Sequence, residues 1–250
     1  MGSSPLTGKE YLTYRYQPSP SGQSPGHLTA IPAKIPPLTP HQILLRITHT
    51  GVCYTDYEYY HHSVPIALGH EGIGIVEAVG SSVTTLQIGD RVGAGFGRDS
   101  CASCKYCTTG RDIWCYDRVV YGLGDTDQGT FSEYFVGNEG FVHKIPEGLS
   151  SEDAAPLQCA GATVYSALAG NVKRGDRVGV MGVGGLGHLA VQFASKMGNE
   201  VVVFSTSADK EGEARGFGAS EFVVGEECGG LKGPVDVLVV AGSRYPDWEK

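Results

Sequence analysis

Four cysteines share one loop in a spacing that suits a metal site. Two residues separate Cys101 from Cys104 and Cys104 from Cys107, and seven residues separate Cys107 from Cys115. Short gaps bring sulfurs from one stretch of chain to a common centre, and four thiolates close a tetrahedral shell around Zn²⁺ with no open position. The pattern therefore predicts a structural zinc site. An iron–sulfur cluster is the main alternative, whereas a zinc-finger nucleic-acid module would need a basic recognition helix that does not accompany the cysteines.

A second set of candidate ligands is dispersed along the chain. Cys53 lies in Gly-Val-Cys-Tyr-Thr-Asp, the pair His70-Glu71 in Leu-Gly-His-Glu-Gly, and Cys159 in Gln-Cys-Ala-Gly-Ala-Thr. Singly, each has a structural interpretation, because cysteine is among the most frequently buried residues and a lone histidine is usually a core or surface residue. Spacing alone does not connect these residues, since Cys159 is far from the others in sequence.

A glycine motif indicates a dinucleotide site. Residues 182–187 read Gly-Val-Gly-Gly-Leu-Gly, which is G-x-G-x-x-G. The motif follows a predicted strand, Arg177–Met181, and opens a predicted helix, Gly185–Met197, as such a site requires. The glycines permit the turn and let the backbone approach a pyrophosphate at the helix N-terminus. The cofactor-binding candidates here are Gly182, Gly184, Gly185, Leu186 and Gly187.

The end of the next predicted strand bears on the choice of cofactor. An NAD site places Asp or Glu there to bind the ribose 2′-hydroxyl, but this chain has Ser205, Thr206 and Ser207, followed by Asp209 and Lys210. Hydroxyls and a lysine suit a 2′-phosphate, which a carboxylate would repel. We therefore predict NADP(H) bound by Ser205, Thr206, Ser207 and Lys210, the alternative being an ordinary solvated start of a helix.

The elements that must position these residues change character near Ser150. Residues 1–26 are predicted to form a loose arm with one strand at Tyr11–Tyr16, and short strands follow to about Pro146. Beyond Ser150 a helix through Ala169 leads into alternating strands and helices, the βαβαβ pattern of a doubly wound parallel sheet. The expected fold is α/β, with a β-rich domain over residues 1–155 and a nucleotide-binding domain over residues 156–250.

Composition restricts the function classes. The 250 residues are 41% hydrophobic and 18% charged, as in soluble globular proteins. A net charge of −8 argues against a nucleic-acid partner. No apolar run reaches the roughly 20 residues of a membrane span, and no signal peptide is evident. We expect a cytoplasmic protein without a membrane partner, in which cysteines remain thiols or metal ligands. Cys228 fits no motif.

Taken in order, the motifs resemble those of a known family. Gly-Val-Cys-x-Thr-Asp, Gly-His-Glu, the four-cysteine loop, Cys-Ala-Gly-x-Thr and Gly-x-Gly-x-x-Gly resemble the zinc alcohol dehydrogenases of the medium-chain dehydrogenase/reductase family, in particular the cinnamyl alcohol dehydrogenase-like branch. The resemblance runs from about residue 40 to the end. It implies a GroES-like catalytic domain, then a Rossmann domain, with the active site in the cleft between them. We expect the Rossmann domain to be partial, with about 100 residues missing, including the last strand through which family homodimers join.

The resemblance also implies roles for individual residues. Cys53, His70 and Cys159 would hold a catalytic zinc, for which Cys₂His is the known ligand set in alcohol dehydrogenase. Glu71 would be an occasional fourth ligand, Asp56 would orient His70, and Thr55 would hydrogen-bond the alcohol oxygen and begin a proton relay. Thr163 joins the cofactor-binding candidates. The implied reaction, with two Zn²⁺ per chain, interconverts an aromatic or allylic primary alcohol plus NADP⁺ with an aldehyde plus NADPH.

The chain departs from the family pattern near the second cysteine set. Only 17 positions separate Cys53 from His70, so a loop that shapes the substrate pocket is shortened. Tyr54 replaces the usual histidine after the ligand cysteine, and Glu58 stands where relatives carry a relay histidine. An alternative function is therefore a catalytically inactive remnant that keeps the structural zinc and binds nucleotide weakly. Two metals per chain would favour the enzyme, and one would favour the remnant.

Overall fold

The computed structural model describes residues 4–17, 26–61, 64–225 and 231–242. They group into two compact units, Met1–Cys159 and Ala160–Lys250, whereas the sequence predicted a boundary after residue 155. Cys228 lies outside the described residues. Within the part of the chain that the structure describes, no helix has both the length and the apolar character that a membrane span requires.

The first unit is built on a five-stranded antiparallel sheet with apolar side chains on both faces. On β3, Ile43 and Leu45 pack into one buried cluster and Leu44 into another, because successive side chains of a strand point to opposite faces. The strand order is β10-β5-β4-β3-β9. Their bounds are β3 Gln42–Thr50, β4 Gly72–Val79, β5 Arg91–Ala94, β9 Tyr134–Asn138 and β10 Val142–Lys144.

A hairpin of two strands precedes this sheet. β1 (Glu10–Gln17) pairs antiparallel with β2 (His27–Lys34). β1 contains the predicted strand Tyr11–Tyr16, and it anchors the segment because Tyr11 packs into the cluster around Leu44. The remainder of the loose arm predicted for residues 1–26 includes residues 18–25, which lie outside the described part. The sequence did not predict β2, most of whose side chains are exposed.

The remaining elements of this unit surround the candidate ligands. A three-stranded sheet of order β6-β7-β8 is formed by β6 (Gly97–Asp99), β7 (Val119–Tyr121) and β8 (Gly124–Asp125). Helix α1 (Tyr54–His61) follows Cys53, and helix α2 (Ser151–Pro156) begins at the cap Ser150, whose Oγ accepts the Asp153 N–H at 3.1 Å. Short 3₁₀ turns lie at Cys107–Thr109, Asp112–Trp114 and Glu139–Phe141.

The long helix predicted from residue 151 to Ala169 is wrong as a single element. α2 ends at Pro156, a π-helical turn covers Leu157–Gly161, and α3 spans Ala162–Ala169. Proline supplies no backbone N–H for the helical ladder, and π turns inside helices are frequent at functional sites. This wide turn carries Cys159.

The second unit contains a parallel sheet of order β13-β12-β11-β14. Buried Val178, Val180, Val201 and Val203 pack with the helices in one apolar core. From β11 the chain adds β12 and then β13 on one side, and it then crosses to add β14 on the other side. This is the strand order of one Rossmann half. The bounds are β11 Arg177–Met181, α4 Gly185–Lys196, β12 Glu200–Ser205, α5 Glu211–Gly216, β13 Glu221–Val224 and β14 Val237–Val240, with a 3₁₀ turn at Ala208–Lys210.

Candidate active site and metal centres

The structure brings Cys53, His70, Glu71 and Cys159 together within the first unit. Cys53 precedes α1, the His70-Glu71 pair precedes β4, and Cys159 lies in the π turn. One potential ligand atom from each lies within 4.8 Å of all the others, and the two Sγ atoms are 3.8 Å apart. Tetrahedral zinc with bonds of about 2.3 Å separates two sulfur ligands by roughly 3.8 Å. The spacing therefore fits one metal ion.

The buried ring of His70 presents an unused nitrogen to this cluster. Its Nδ1 lies 3.0 Å from Asp56 Oδ1. Its Nε2 is buried and has no hydrogen-bond partner among the described residues. Burying a polar nitrogen without a partner is costly, and a metal at Nε2 removes that cost while a carboxylate on Nδ1 fixes the ring. The donor set therefore suits zinc.

Asp56 is the residue to which the other parts of the cluster attach. This carboxylate is 3% exposed and lies in the first turn of α1. Its Oδ2 accepts the Cys53 N–H at 3.0 Å, and its Oδ1 also accepts the Gly69 N–H at 3.2 Å. Burial raises the pKa of Asp56, but the bonds from His70 and Cys53 outweigh it and leave the pKa below its ordinary value. Asp56 therefore remains charged and holds both ligands.

The cluster carries an excess of negative charge. The neighbouring Cys159 thiol lowers the pKa of Cys53, and the same contact raises the pKa of Cys159. Burial lowers the pKa of His70, but Asp56 and Cys53 raise it to about 9. Burial and the Cys53 charge raise the pKa of Glu71 to about 7. The raised pKa values of Cys159, His70 and Glu71 show that these groups hold a proton more readily in this pocket, where a divalent cation can take the place of the proton.

Two smaller features place Glu71 and Thr55 beside the sulfurs. A Cβ at Gly51 would collide with Glu71 Oε2, so glycine is required for the carboxylate to lie there. Thr55 N–H lies 3.5 Å from Cys53 Sγ, and Thr55 Oγ1 lies 3.6 Å from the same sulfur. The Thr55 hydroxyl is therefore close enough to contact a molecule bound at the cluster.

The four cysteines of the loop form a second, separate group. Sulfur separations are 3.5 Å for Cys101–Cys115, 3.6 Å for Cys104–Cys107 and 3.9 Å for Cys101–Cys107. All four atoms lie within 4.8 Å of one another. Backbone N–H groups of Ser103 and Cys104 lower the pKa of Cys101 to about 6, which favours the thiolate that a metal needs. These distances fit a closed tetrahedral site.

Sequence reasoning missed Tyr121, which is fully buried against the first cluster. Its hydroxyl donates to Asp56 Oδ1 at 2.8 Å and accepts the Gly69 N–H at 3.0 Å. Its ring stacks on the His70 ring with centroids 4.6 Å apart. The tyrosine ends an apolar run, Val119-Val120-Tyr121, that is indistinguishable in sequence from an ordinary core strand. No local signal could have identified it.

The glycine motif lies between β11 and α4 in the second unit. Gly182 has φ of +91°, and a Cβ at Gly187 would collide with the Gly182 carbonyl oxygen, so both glycines shape the turn. A Cβ at Gly184 or Gly185 would meet nothing within 4 Å. Gly184 is the N-cap residue of α4, so no capping side chain accepts a hydrogen bond from the first turn. Its exposed backbone, including Leu186, therefore offers N–H groups to a ligand.

The predicted phosphate-binding residues follow β12. Ser205 is half-buried, while Thr206, Ser207 and Lys210 are exposed. Ser207 Oγ hydrogen-bonds Asp209, and Lys210 Nζ lies 3.1 Å from Glu213. An exposed pair of this kind contributes about 1 kcal/mol or less, so Lys210 can exchange it for a phosphate. Thr163 is exposed on α3.

The architecture defines the class of protein. A β-rich unit holding two metal-ligand clusters, in a chain that also has a partial Rossmann sheet, is the medium-chain dehydrogenase/reductase design. Residues 39–147 match the family described as alcohol dehydrogenase GroES-like domain. The chain is 42% identical over 197 residues to a probable formaldehyde dehydrogenase of Bacillus subtilis (strain 168), covering 74% of this chain and 56% of that protein.

Other relatives agree. A probable cinnamyl alcohol dehydrogenase of Eucalyptus globulus is 39% identical over 212 residues, covering 80% of this chain and 60% of the relative. A Sorghum bicolor cinnamyl alcohol dehydrogenase structure matches with a TM-score of 0.75 and 36% identity, covering 86% of this chain and 64% of that one. The crystal structure of CAD from Helicobacter pylori complexed with NADP(H) matches with a TM-score of 0.81 and 29% identity, covering 92% of this chain and 68% of that one.

Residues 39–147 therefore belong to the alcohol dehydrogenase GroES-like family, and the relatives of the chain are dehydrogenases of the zinc-dependent medium-chain dehydrogenase/reductase family. This confirms the resemblance stated from the motifs and the expected fold class. The chain spans 56% and 60% of the length of the two curated relatives described.

Proposed function

We propose that the chain interconverts a primary alcohol and an aldehyde by hydride transfer with NADP(H), using zinc held by Cys53, His70 and Cys159. The observation that carries this proposal is the buried Nε2 of His70, which has no hydrogen-bond partner among the described residues and lies beside two sulfurs 3.8 Å apart. The oxidoreductase relatives support the reaction type, and those named as cinnamyl alcohol dehydrogenases favour an aromatic or allylic substrate. A second zinc at the four-cysteine loop would be structural.

When bound, Zn²⁺ supplies Lewis-acid polarisation of the substrate oxygen, and the nicotinamide accepts or donates the hydride. The protein's own residues do the positioning. Asp56 holds the Nδ1 proton of His70, which leaves Nε2 as the donor atom. In the oxidation direction the alcohol carbon loses a hydride and the hydroxyl loses a proton. Thr55 Oγ1, 3.6 Å from Cys53 Sγ, would accept a hydrogen bond from the alcohol hydroxyl, take up its proton and release its own proton towards solvent.

Purified chain should consume NADPH in the presence of aromatic aldehydes, and a zinc chelator should abolish the consumption. The chelator removes the Lewis acid, while the hydride donor and the substrate remain. Absorbance of NADPH gives the rate, and zinc added back after chelation should restore it. A chelator-treated sample that keeps its secondary structure by circular dichroism excludes unfolding. Turnover that survives chelation, or no turnover with metal fully bound, would contradict the proposal.

The cofactor preference has a separate test at the end of β12. We expect a higher kcat/KM with NADPH than with NADH, and Ser205→Asp should lower the NADPH value by about 10- to 100-fold because like charges repel. The introduced carboxylate can instead bind the 2′-hydroxyl of NADH. Ser205→Asn is the matched control, since it has similar size and no charge. Equal values for the two cofactors in the wild type would overturn the preference.

A further inference from the structure

We infer that Tyr121 is a positioning residue for the metal cluster of Cys53, His70 and Cys159, holding His70 and its partner Asp56 in the ligating arrangement. The inference rests on the proposed function, since it concerns the metal that the cluster would bind. Within the described residues, the Tyr121 hydroxyl bonds to Asp56 and Gly69 and to neither sulfur. Its influence passes through the residues that orient His70.

The hydroxyl of Tyr121 connects the two segments that carry the ligands. It donates to Asp56 Oδ1 at 2.8 Å and accepts the Gly69 N–H at 3.0 Å. Asp56 lies in the helix that follows Cys53, and Gly69, with φ of +97°, immediately precedes His70. A single oxygen thereby fixes the carboxylate that orients the imidazole and the backbone from which the imidazole extends. Hydrogen bonds to charged acceptors are the stronger ones.

The ring of Tyr121 limits rotation of the imidazole. The two rings stack at 4.6 Å with 23° between their planes, and Phe96 meets His70 edge-on at 5.9 Å. Tyr121 itself is held by edge contacts from Tyr59 and Phe96, at 5.2 and 6.3 Å. Because His70 is completely buried, a change in its ring plane would move Nε2 away from the sulfurs.

A buried cation, Arg98, contacts the same group of residues. The guanidinium of Arg98 lies 5.7 Å from the Tyr121 ring centroid and 4.5 Å from that of Phe135. Its Nη2 donates to the Gly69 carbonyl oxygen at 3.3 Å. Gly69 is therefore bonded at its N–H by Tyr121 and at its carbonyl by Arg98. Neither residue belongs to the motifs that carry the family resemblance.

Tyr121 also connects this cluster with the four-cysteine loop. The loop leaves the three-stranded sheet after β6 and returns to it at β7, which ends in Tyr121. The Tyr121 N–H donates to the Phe96 carbonyl at 2.9 Å, just before β6. The base of the loop and the support of His70 are thus the same strand pair.

The test is Tyr121→Phe, which removes the hydroxyl and keeps the ring. Zinc affinity is measured for each site by competition with a chromophoric chelator, and Co²⁺ substitution gives a visible spectrum of the ligand geometry. We expect affinity at the Cys53 cluster to fall by about 10- to 100-fold, as for residues that orient ligands elsewhere, with a changed Co²⁺ spectrum. Affinity at the four-cysteine loop should be unchanged.

Tyr134→Phe is the matched control, because it also removes a hydrogen-bonded hydroxyl from a buried tyrosine, whose partner is Lys9. Wild-type affinity and spectrum in Tyr121→Phe would overturn the inference, as would an equal loss in Tyr134→Phe. Wild-type chain that binds zinc only at the four-cysteine loop would instead overturn the proposed function. The two failures are therefore distinguishable, and thermal unfolding of both variants excludes a loss of fold.

Discussion

A Cys115→Ser chain should bind one zinc ion fewer than the wild type and lose more than about 4 kcal/mol in the free energy of unfolding of its first unit. Losses of this size follow removal of a structural metal. Cys115 is fully buried, and its Sγ lies 3.5 Å from that of Cys101. A serine hydroxyl does not replace a cysteine thiolate as a zinc ligand.

The loop has little else to hold it. Between β6 and β7 the chain forms only short 3₁₀ turns, and three of its large hydrophobic side chains, Ile113, Trp114 and Tyr116, are 51%, 65% and 86% exposed. Because so little apolar area is buried there, the hydrophobic effect contributes little to this segment. The metal ligands are therefore expected to supply most of its stability.

Metal content by plasma mass spectrometry and denaturant unfolding would check this result. Cys228→Ser serves as the control, since that cysteine fits no motif, and it should keep wild-type metal content and stability. A Cys115→Ser chain with unchanged metal content would show that Cys115 is not a ligand. A chain that loses the metal but keeps its stability would show that the loop is held by other contacts.

The sequence predicted one of these two clusters from local spacing and the other only through the family resemblance. Residues 101–115 hold four cysteines close together, so local spacing was sufficient to predict their convergence. Cys159 could be joined to Cys53 only through the family resemblance, because the π turn that brings it to the cluster depends on a break after Pro156. Long-range convergence of this kind is set by tertiary packing, which local patterns do not encode.

Periodic segments were predicted well and irregular ones poorly. β11 has the bounds predicted for its apolar run, Arg177–Met181. Helix α1 was not predicted because its sequence, Tyr-Thr-Asp-Tyr-Glu-Tyr-Tyr-His, has no apolar face at helical spacing. Its start is fixed instead by Asp56, which accepts the Cys53 N–H as in a capping box. The element next to the candidate site was therefore missed because its stabilising contacts are polar.

The same distinction explains Tyr121. Glycines of the nucleotide loop carry a recognisable order because backbone geometry requires glycine at fixed spacings. A residue that acts through Asp56 and His70 has no such constraint, since any strand passing behind the histidine could supply it. Residues that touch the ligand can be found by motif, whereas residues that hold them in place are found only from contacts.

Replacing Cys53 by alanine should abolish aldehyde reduction without unfolding the chain. The variant loses one of the two sulfurs of the cluster, so its ion should dissociate and the Lewis acid with it. Lewis-acid stabilisation is worth several kcal/mol, and each 1.4 kcal/mol is about a factor of ten, so we expect a fall in kcat/KM of at least about 1000-fold. Cys53 is only half-buried, which makes a large loss of packing unexpected.

The measurements separate chemistry from folding. Cys53→Ala should retain one zinc ion, held by the four-cysteine loop, and should unfold at nearly the wild-type temperature. Cys115→Ser should instead lose the zinc ion of that loop and unfold at a lower temperature. Cys228→Ala is the matched cysteine-to-alanine control and should keep full activity. Wild-type kcat/KM in Cys53→Ala would sink the catalytic assignment, because no other thiolate among the described residues could then complete the His70–Cys159 set. Loss of activity without unfolding in Cys53→Ala, together with loss of stability in Cys115→Ser, would show that one cluster supports the reaction and the other supports the fold.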